Sequence, residues 1–159
     1  MKVKNLLLII VIVGLLSFVS INLQGQIISI LDLYGFTKVD IEVEPGVIHL
    51  TANCLTLSMV TTDLQTASIE SGISGEVLER PTAHDLMKEI FDTYNISVSM
   101  VKIISFDNGT YYARLVLKRE NTVLNLDSRP SDAIAIAVRT KAPVYIKDEI
   151  LAEQGAYSC

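Results

Sequence analysis

The chain has 159 residues, half of them hydrophobic, with 13 basic and 18 acidic side chains, which is room for one domain of ordinary size. Its mean hydropathy of +0.41 is high for a soluble protein, and much of the excess lies at one end. Setting aside Lys2 and Lys4 leaves 11 basic against 18 acidic residues, a charge of −7, which is the wrong sign for a protein that coats nucleic acid by charge alone.

From Leu6 to Leu23 the sequence reads LLLIIVIVGLLSFVSINL, without a charge. Eighteen helical residues span about 27 Å, close to the hydrocarbon thickness of a bilayer. A buried core helix fits least, because a helix apolar on every face needs a large protein around it. A cleaved signal peptide needs small residues before its cleavage site, and the pairs Phe18/Ser20 and Leu23/Gly25 lack the outer one. Residues 1–25 are therefore expected to be a membrane anchor, with the signal peptide as the alternative, and the lipid bilayer is a partner through residues 6–23. Lys2, Lys4 and the amino terminus precede the apolar run, whereas only Lys38 follows it closely. The positive-inside rule then keeps the N-terminus cytoplasmic and the domain outside, or secreted if the segment is cleaved. The sequons Asn95-Ile96-Ser97 and Asn108-Gly109-Thr110 are compatible with that side, and an external location permits a Cys54–Cys159 disulfide.

Residues 26–35 form a connector, and the domain proper is expected over 36–159. Val39, Ile41 and Val43 alternate with charged residues, predicting a half-buried strand. Pro45-Gly46 turns it into Val47–Leu50, and a third strand is expected at Leu55–Val60. Thr62 with Gln65 three residues later is a capping-box pattern, opening a helix from Asp63 to Ser71, after which Gly72 and Gly75 mark a loop. Pro81 and Thr82 open a second helix. Strands at Ile96–Phe106 and Thr110–Lys118 flank Asp107-Asn108-Gly109, the strongest hairpin signal in the chain. Thr122–Asp127 is a further strand, Pro130 and Ser131 start a helix ending near Lys141, and Pro143–Ile146 and Asp148–Gln154 are a last strand and helix. This order predicts an α+β fold with one mixed, largely antiparallel sheet and three to four helices, preceded by the transmembrane helix.

Three stretches carry a resemblance. Leu126-Asp-Ser-Arg-Pro-Ser-Asp-Ala-Ile-Ala-Ile-Ala-Val-Arg139 with Ala142-Pro-Val-Tyr-Ile146, then Arg80-Pro-Thr-Ala-His-Asp-Leu86, and Gly109-Thr-Tyr-Tyr-Ala-Arg-Leu115 resemble signatures of the bifunctional nuclease domain family. The match is specific over about residues 75–152 and looser over 36–74. The resemblance implies a nuclease acting on DNA and RNA; it does not hand over an active site.

Phosphodiester hydrolysis needs an activated water and neutralised phosphoryl charge. Asp127 at a strand end and Asp132 in a helix's first turn flank a sharp corner, with Arg129 between them and Ser131 beside it. Asp127 and Asp132 are the expected base and acid, or ligands of a divalent metal such as Mg, while Arg129 and Ser131 hold the phosphate at a helix N-terminus. His84 is the second candidate acid or base, with Asp85 to orient it or take a metal, and Arg80 is a second phosphate-binding group. A two-histidine site would require His49 to meet His84. At most one of Tyr111 and Tyr112 is available to stack a base, because the other must face the core. Each group also has a plain structural reading: first-turn carboxylates answer the helix dipole, and arginines pair with carboxylates. Two functions stay open: a membrane-tethered nuclease of low sequence specificity, or a non-catalytic ligand-binding or assembly module, with a homodimer as one such assembly.

Overall fold

The structure, a computed structural model, describes residues 10–16, 29–76 and 79–159. It divides into two compact units, Met1–Asp32 and Leu33–Cys159. In the first, residues 10–16 are helical, and the rest of the expected anchor lies outside the described residues. Among the described residues no helix is long and apolar enough to cross a membrane.

The second unit is α+β, but with two sheets where one was expected. A five-stranded sheet runs in the order β1 (Phe36–Lys38), β8 (Val144–Lys147), β5 (Ser97–Asp107), β6 (Thr110–Arg119), β7 (Thr122–Ser128). All its pairings are antiparallel except β5 with β8. A four-stranded antiparallel sheet runs β2 (Asp40–Glu44), β3 (Val47–Ala52), β4 (Leu55–Val60), β9 (Ala156–Tyr157). The chain crosses from one sheet to the other at Val39, whose N–H donates to the Val144 carbonyl at 3.0 Å while its side chain is buried. A single alternating strand across residues 38–44 is what the pattern suggested; the break at Val39 divides it.

Among the described residues four helices complete the unit: α1 (Asp63–Ser74), α2 (Ala83–Thr93), α3 (Pro130–Thr140) and α4 (Asp148–Gln154). Thr62 and Gln65 close the predicted capping box at the start of α1. The helix then runs three residues past Ser71, with Gly72 inside it and Gly75 as its left-handed cap. At α3, Pro130 occupies the first turn, where its missing N–H is no loss. Ala133–Ala137 are all buried, and α3 packs between α1 and α2 and against β5 and β6. The core joins Ile48, Leu50, Leu57 and Met59 of the smaller sheet to Val101, Ile103, Leu115 and Leu117 of the larger through Ile69, Phe91 and Ile134. Full burial of each such side chain contributes about 2 kcal/mol. The β5–β6 hairpin turns through Asn108 and Gly109, both at positive φ (+48° and +79°), the type I′ geometry that Asn-Gly favours.

Cys54 and Cys159 form a disulfide, with Cα atoms 5.0 Å apart. It fastens the end of the chain to the β3–β4 turn, where Ser158 N–H also donates to the Cys54 carbonyl at 2.9 Å.

Candidate functional site

The two helix starts that share an Arg-Pro pair meet. Thr82 and Asp85 form a capping box at the head of α2, and this sets His84 facing α3. His84 Nε2 stands 3.6 Å from Asp132 Oδ1, and its Nδ1 is 3.0 Å from Ser68 Oγ on α1. Asp132 in turn accepts two bonds from Arg129, from Nε at 2.7 Å and from Nη2 at 3.1 Å. One polar chain therefore runs from Arg129 through Asp132 and His84 to Ser68, linking α1, α2 and α3. Desolvation by burial pushes the His84 pKa below its ordinary value, against the pull of Asp132, and the neutral imidazole is favoured.

Ser68 also receives Arg139: the guanidinium donates from Nη1 to the Ser68 carbonyl at 2.8 Å and to the Ala135 carbonyl at 2.9 Å. Arg139 Nε donates to Asp85 Oδ1 at 2.6 Å, with the arginine side chain only 4% exposed. Burial tends to raise the Asp85 pKa, but the hydrogen bonds from Arg139 and Thr82 outweigh it and hold the carboxyl at about 2. Arg139 was not among the expected site residues. The available signal was an arginine that directly follows the all-apolar run Ala133–Val138 of its helix and has to find a buried partner.

Beside this network lies a cleft of about 290 Å³ between the end of β4, the β5–β6 hairpin and the start of α3. Arg129, Ser131, Gln65, Thr61 and Tyr111 line it. Gln65 Nε2 donates to Ser131 Oγ at 3.0 Å, and Thr61 bonds to the Gln65 side-chain oxygen, so the cleft's polar wall is braced. Tyr111 is half-buried and packs on Phe106, ring centroids 4.4 Å apart, and burial raises its pKa. Tyr112, the other tyrosine, is exposed and does not line the cleft.

The remaining expected residues lie apart. Asp127 faces Arg114 across the β6–β7 pair at 3.6 Å, while Asp132 is held by Arg129 and His84, so the two carboxylates are committed to different partners. His49 sits on the smaller sheet with its Nδ1 2.9 Å from Ser58 Oγ, whereas His84 is engaged by Ser68 and Asp132. Arg80 is exposed before α2. Among the described residues no group of three or more His, Cys, Asp or Glu can hold a metal ion. Both Asp132 oxygens accept from Arg129 in this arrangement, so Asp132 would offer an oxygen to a hard cation such as Mg only as that ion pair opens.

Fold and site together define a small two-sheet α+β domain with a polar cleft at a helix N-terminus and a histidine–carboxylate pair next to it. The family model of the bifunctional nuclease domain matches residues 47–158. The chain belongs to this family. It is 36% identical over 76 residues to an uncharacterized protein of Mycobacterium tuberculosis, covering 48% of this chain and 44% of that one. It is 35% identical over 81 residues to bifunctional nuclease 1 of Oryza sativa subsp. japonica, covering 49% and 24%. Bifunctional nuclease 1 of Arabidopsis thaliana is 27% identical over 104 residues, covering 64% and 32%. The chain spans less than half the length of these curated relatives.

Proposed function

We propose that this domain hydrolyses phosphodiester bonds in DNA or RNA with low sequence specificity, in the cleft at the head of α3. The observation that carries the reading, within a bifunctional nuclease family, is the convergence of His84, Asp132 and Arg129 beside that cleft. Each has a role its surroundings suit. With Nδ1–H donated to Ser68 Oγ, the neutral His84 accepts a proton at Nε2 from the attacking water, and Asp132, which faces that nitrogen, stabilises the imidazolium that results. Arg129, whose side chain is 71% exposed, exchanges its carboxylate partner for the substrate phosphate. Ser131 and the first N–H groups of α3 add donors to the same anion, and Tyr111 offers a ring against which a base can stack.

The second part of the proposal is that residues 6–23 tether the domain to a bilayer, with the domain on the outer side. The uncharged apolar run supports the tether, and the Cys54–Cys159 disulfide suits an oxidising compartment. A non-catalytic ligand-binding module is the alternative. The paired state of Arg129 with Asp132 and of Arg139 with Asp85 favours it, because structure alone then accounts for those charges.

The test uses the full chain in detergent, incubated with single-stranded DNA and with RNA, each with and without chelator. His84→Ala, Asp132→Asn and Arg129→Ala, shown by circular dichroism to be folded, accompany the parent. Loss of general-base catalysis slows cleavage by about 10²-fold or more. Folded variants that cut as fast as the parent remove the site; binding without cleavage by any of them, the parent included, leaves the ligand-binding module.

A further inference from the structure

The two sheets have four outer strands, and three of them are guarded against pairing with another chain. β1 has three residues and β9 two. β2 turns Asp40, Glu42 and Glu44 to solvent in alternation. The fourth, β7, is different. It has seven residues, no proline and no lysine, and among the described residues only β6 pairs with it. Its Leu124 and Leu126 are 48% and 39% exposed. They stand opposite the buried Leu117 and Leu115 and so share the core face of the sheet, but they lie beyond the strands against which α3 packs. A long edge with outward apolar residues is a ready template for another strand.

We infer that β7 is an interface between two copies of this chain, joined antiparallel about a two-fold axis at Asn125. The strand Thr-Val-Leu-Asn-Leu-Asp-Ser is close to a palindrome by residue character. In that register Leu124 faces Leu126 of the second copy, twice, and Thr122 faces Ser128. The one ionised residue, Asp127, faces Val123, so no like charges oppose each other. On that face Val123 is flanked by Lys118 and Asp127 by Arg114, so Asp127 of each copy comes next to the Val123 that Lys118 of the other flanks. The incoming Leu126 arrives beside a groove of about 280 Å³ lined by Ile96, Leu117 and Leu124. Self-complementarity of this kind is what an isologous contact demands, and it selects a second copy over an unrelated partner.

The experiment is sedimentation of the full chain in density-matched detergent, with the parent compared with Leu124→Lys/Leu126→Lys. Both leucines are exposed, so the fold tolerates the change, and circular dichroism checks this. The parent is expected to be dimeric and the lysine variant monomeric. Asn125→Cys is expected to yield a cross-linked dimer on a non-reducing gel, and Glu89→Cys on the exposed side of α2 is not. A monomeric parent overturns the inference, as does a dimer that survives the two lysines, since that association would come from elsewhere in the chain. Nuclease activity in a monomer would leave the reading of the cleft intact.

Discussion

Asp85 shows how one residue is read differently from sequence and from structure. In the sequence it is a carboxylate next to a histidine. In the fold it caps α2 and neutralises Arg139, 54 residues away, a partner that no local pattern can reveal. His84 and Asp132 were legible as candidates, because each lies in the first turn after an Arg-Pro pair; their contact was not. Asp85→Asn leaves the Arg139 guanidinium buried without a counter-charge, which costs about 3 kcal/mol or more. The urea midpoint should fall accordingly. Adding Arg139→Met to that variant should recover part of the loss, because the orphaned charge is gone. The sign of the pH dependence follows from the same network. His84 and Asp85 each have a folded pKa below the ordinary 6.5 and 3.8. The unfolded chain therefore binds protons first as pH falls, and stability declines on the acid side. The histidine contribution sets in as pH drops through 6.5, and the Asp85 contribution is lost between about 4 and about 2. Urea midpoints at pH 7.5 and 5.5 should differ, and His84→Gln should narrow that difference.

At the scale of elements, strands and helices are legible in the sequence wherever local chemistry decides. The Asp-Asn-Gly hairpin, the Thr62–Gln65 cap and the Pro130 helix start all depend on neighbours within a few residues. They are not legible where packing decides. Gly72 reads as a helix breaker, yet it lies within α1 because α3 passes against it: a Cβ built there would stand 2.6 Å from Val138 Cγ2 and 2.8 Å from Arg139 Nη1. The helix gives up about 1 kcal/mol of propensity for that approach. Gly72→Ala would return that increment but force α1 off α3 and disturb the arginine that ties Ser68 to Asp85. Overpacking of this sort costs about 1–3 kcal/mol, so the net change should be destabilising despite alanine's better propensity. Denaturant unfolding of the two proteins decides it; a stabilised Gly72→Ala would mean the helices have room to part.

For the molecule as a whole, the division into two sheets was hidden because it turns on a single residue, Val39, while the pairings of β9 and of the disulfide turn on the last four residues meeting the β3–β4 turn. Cys54 and Cys159 are 105 residues apart, and closing a loop of that length removes enough unfolded-state entropy to contribute about 4–5 kcal/mol. Cys54→Ser/Cys159→Ser should lower stability by that order, and the parent under reductant should match it. The same pair reports topology. A cytosolic domain would meet a reducing pool that keeps thiols open, whereas an external one keeps the bond. Intact cells treated with a permeant alkylating agent before lysis, then denatured and mass-tagged with and without reductant, distinguish the two. With the domain outside, both cysteines escape the first reagent and take up two tags only after reduction. Alkylation of both in the intact cell would place the domain in the cytoplasm and reverse the orientation drawn from Lys2 and Lys4.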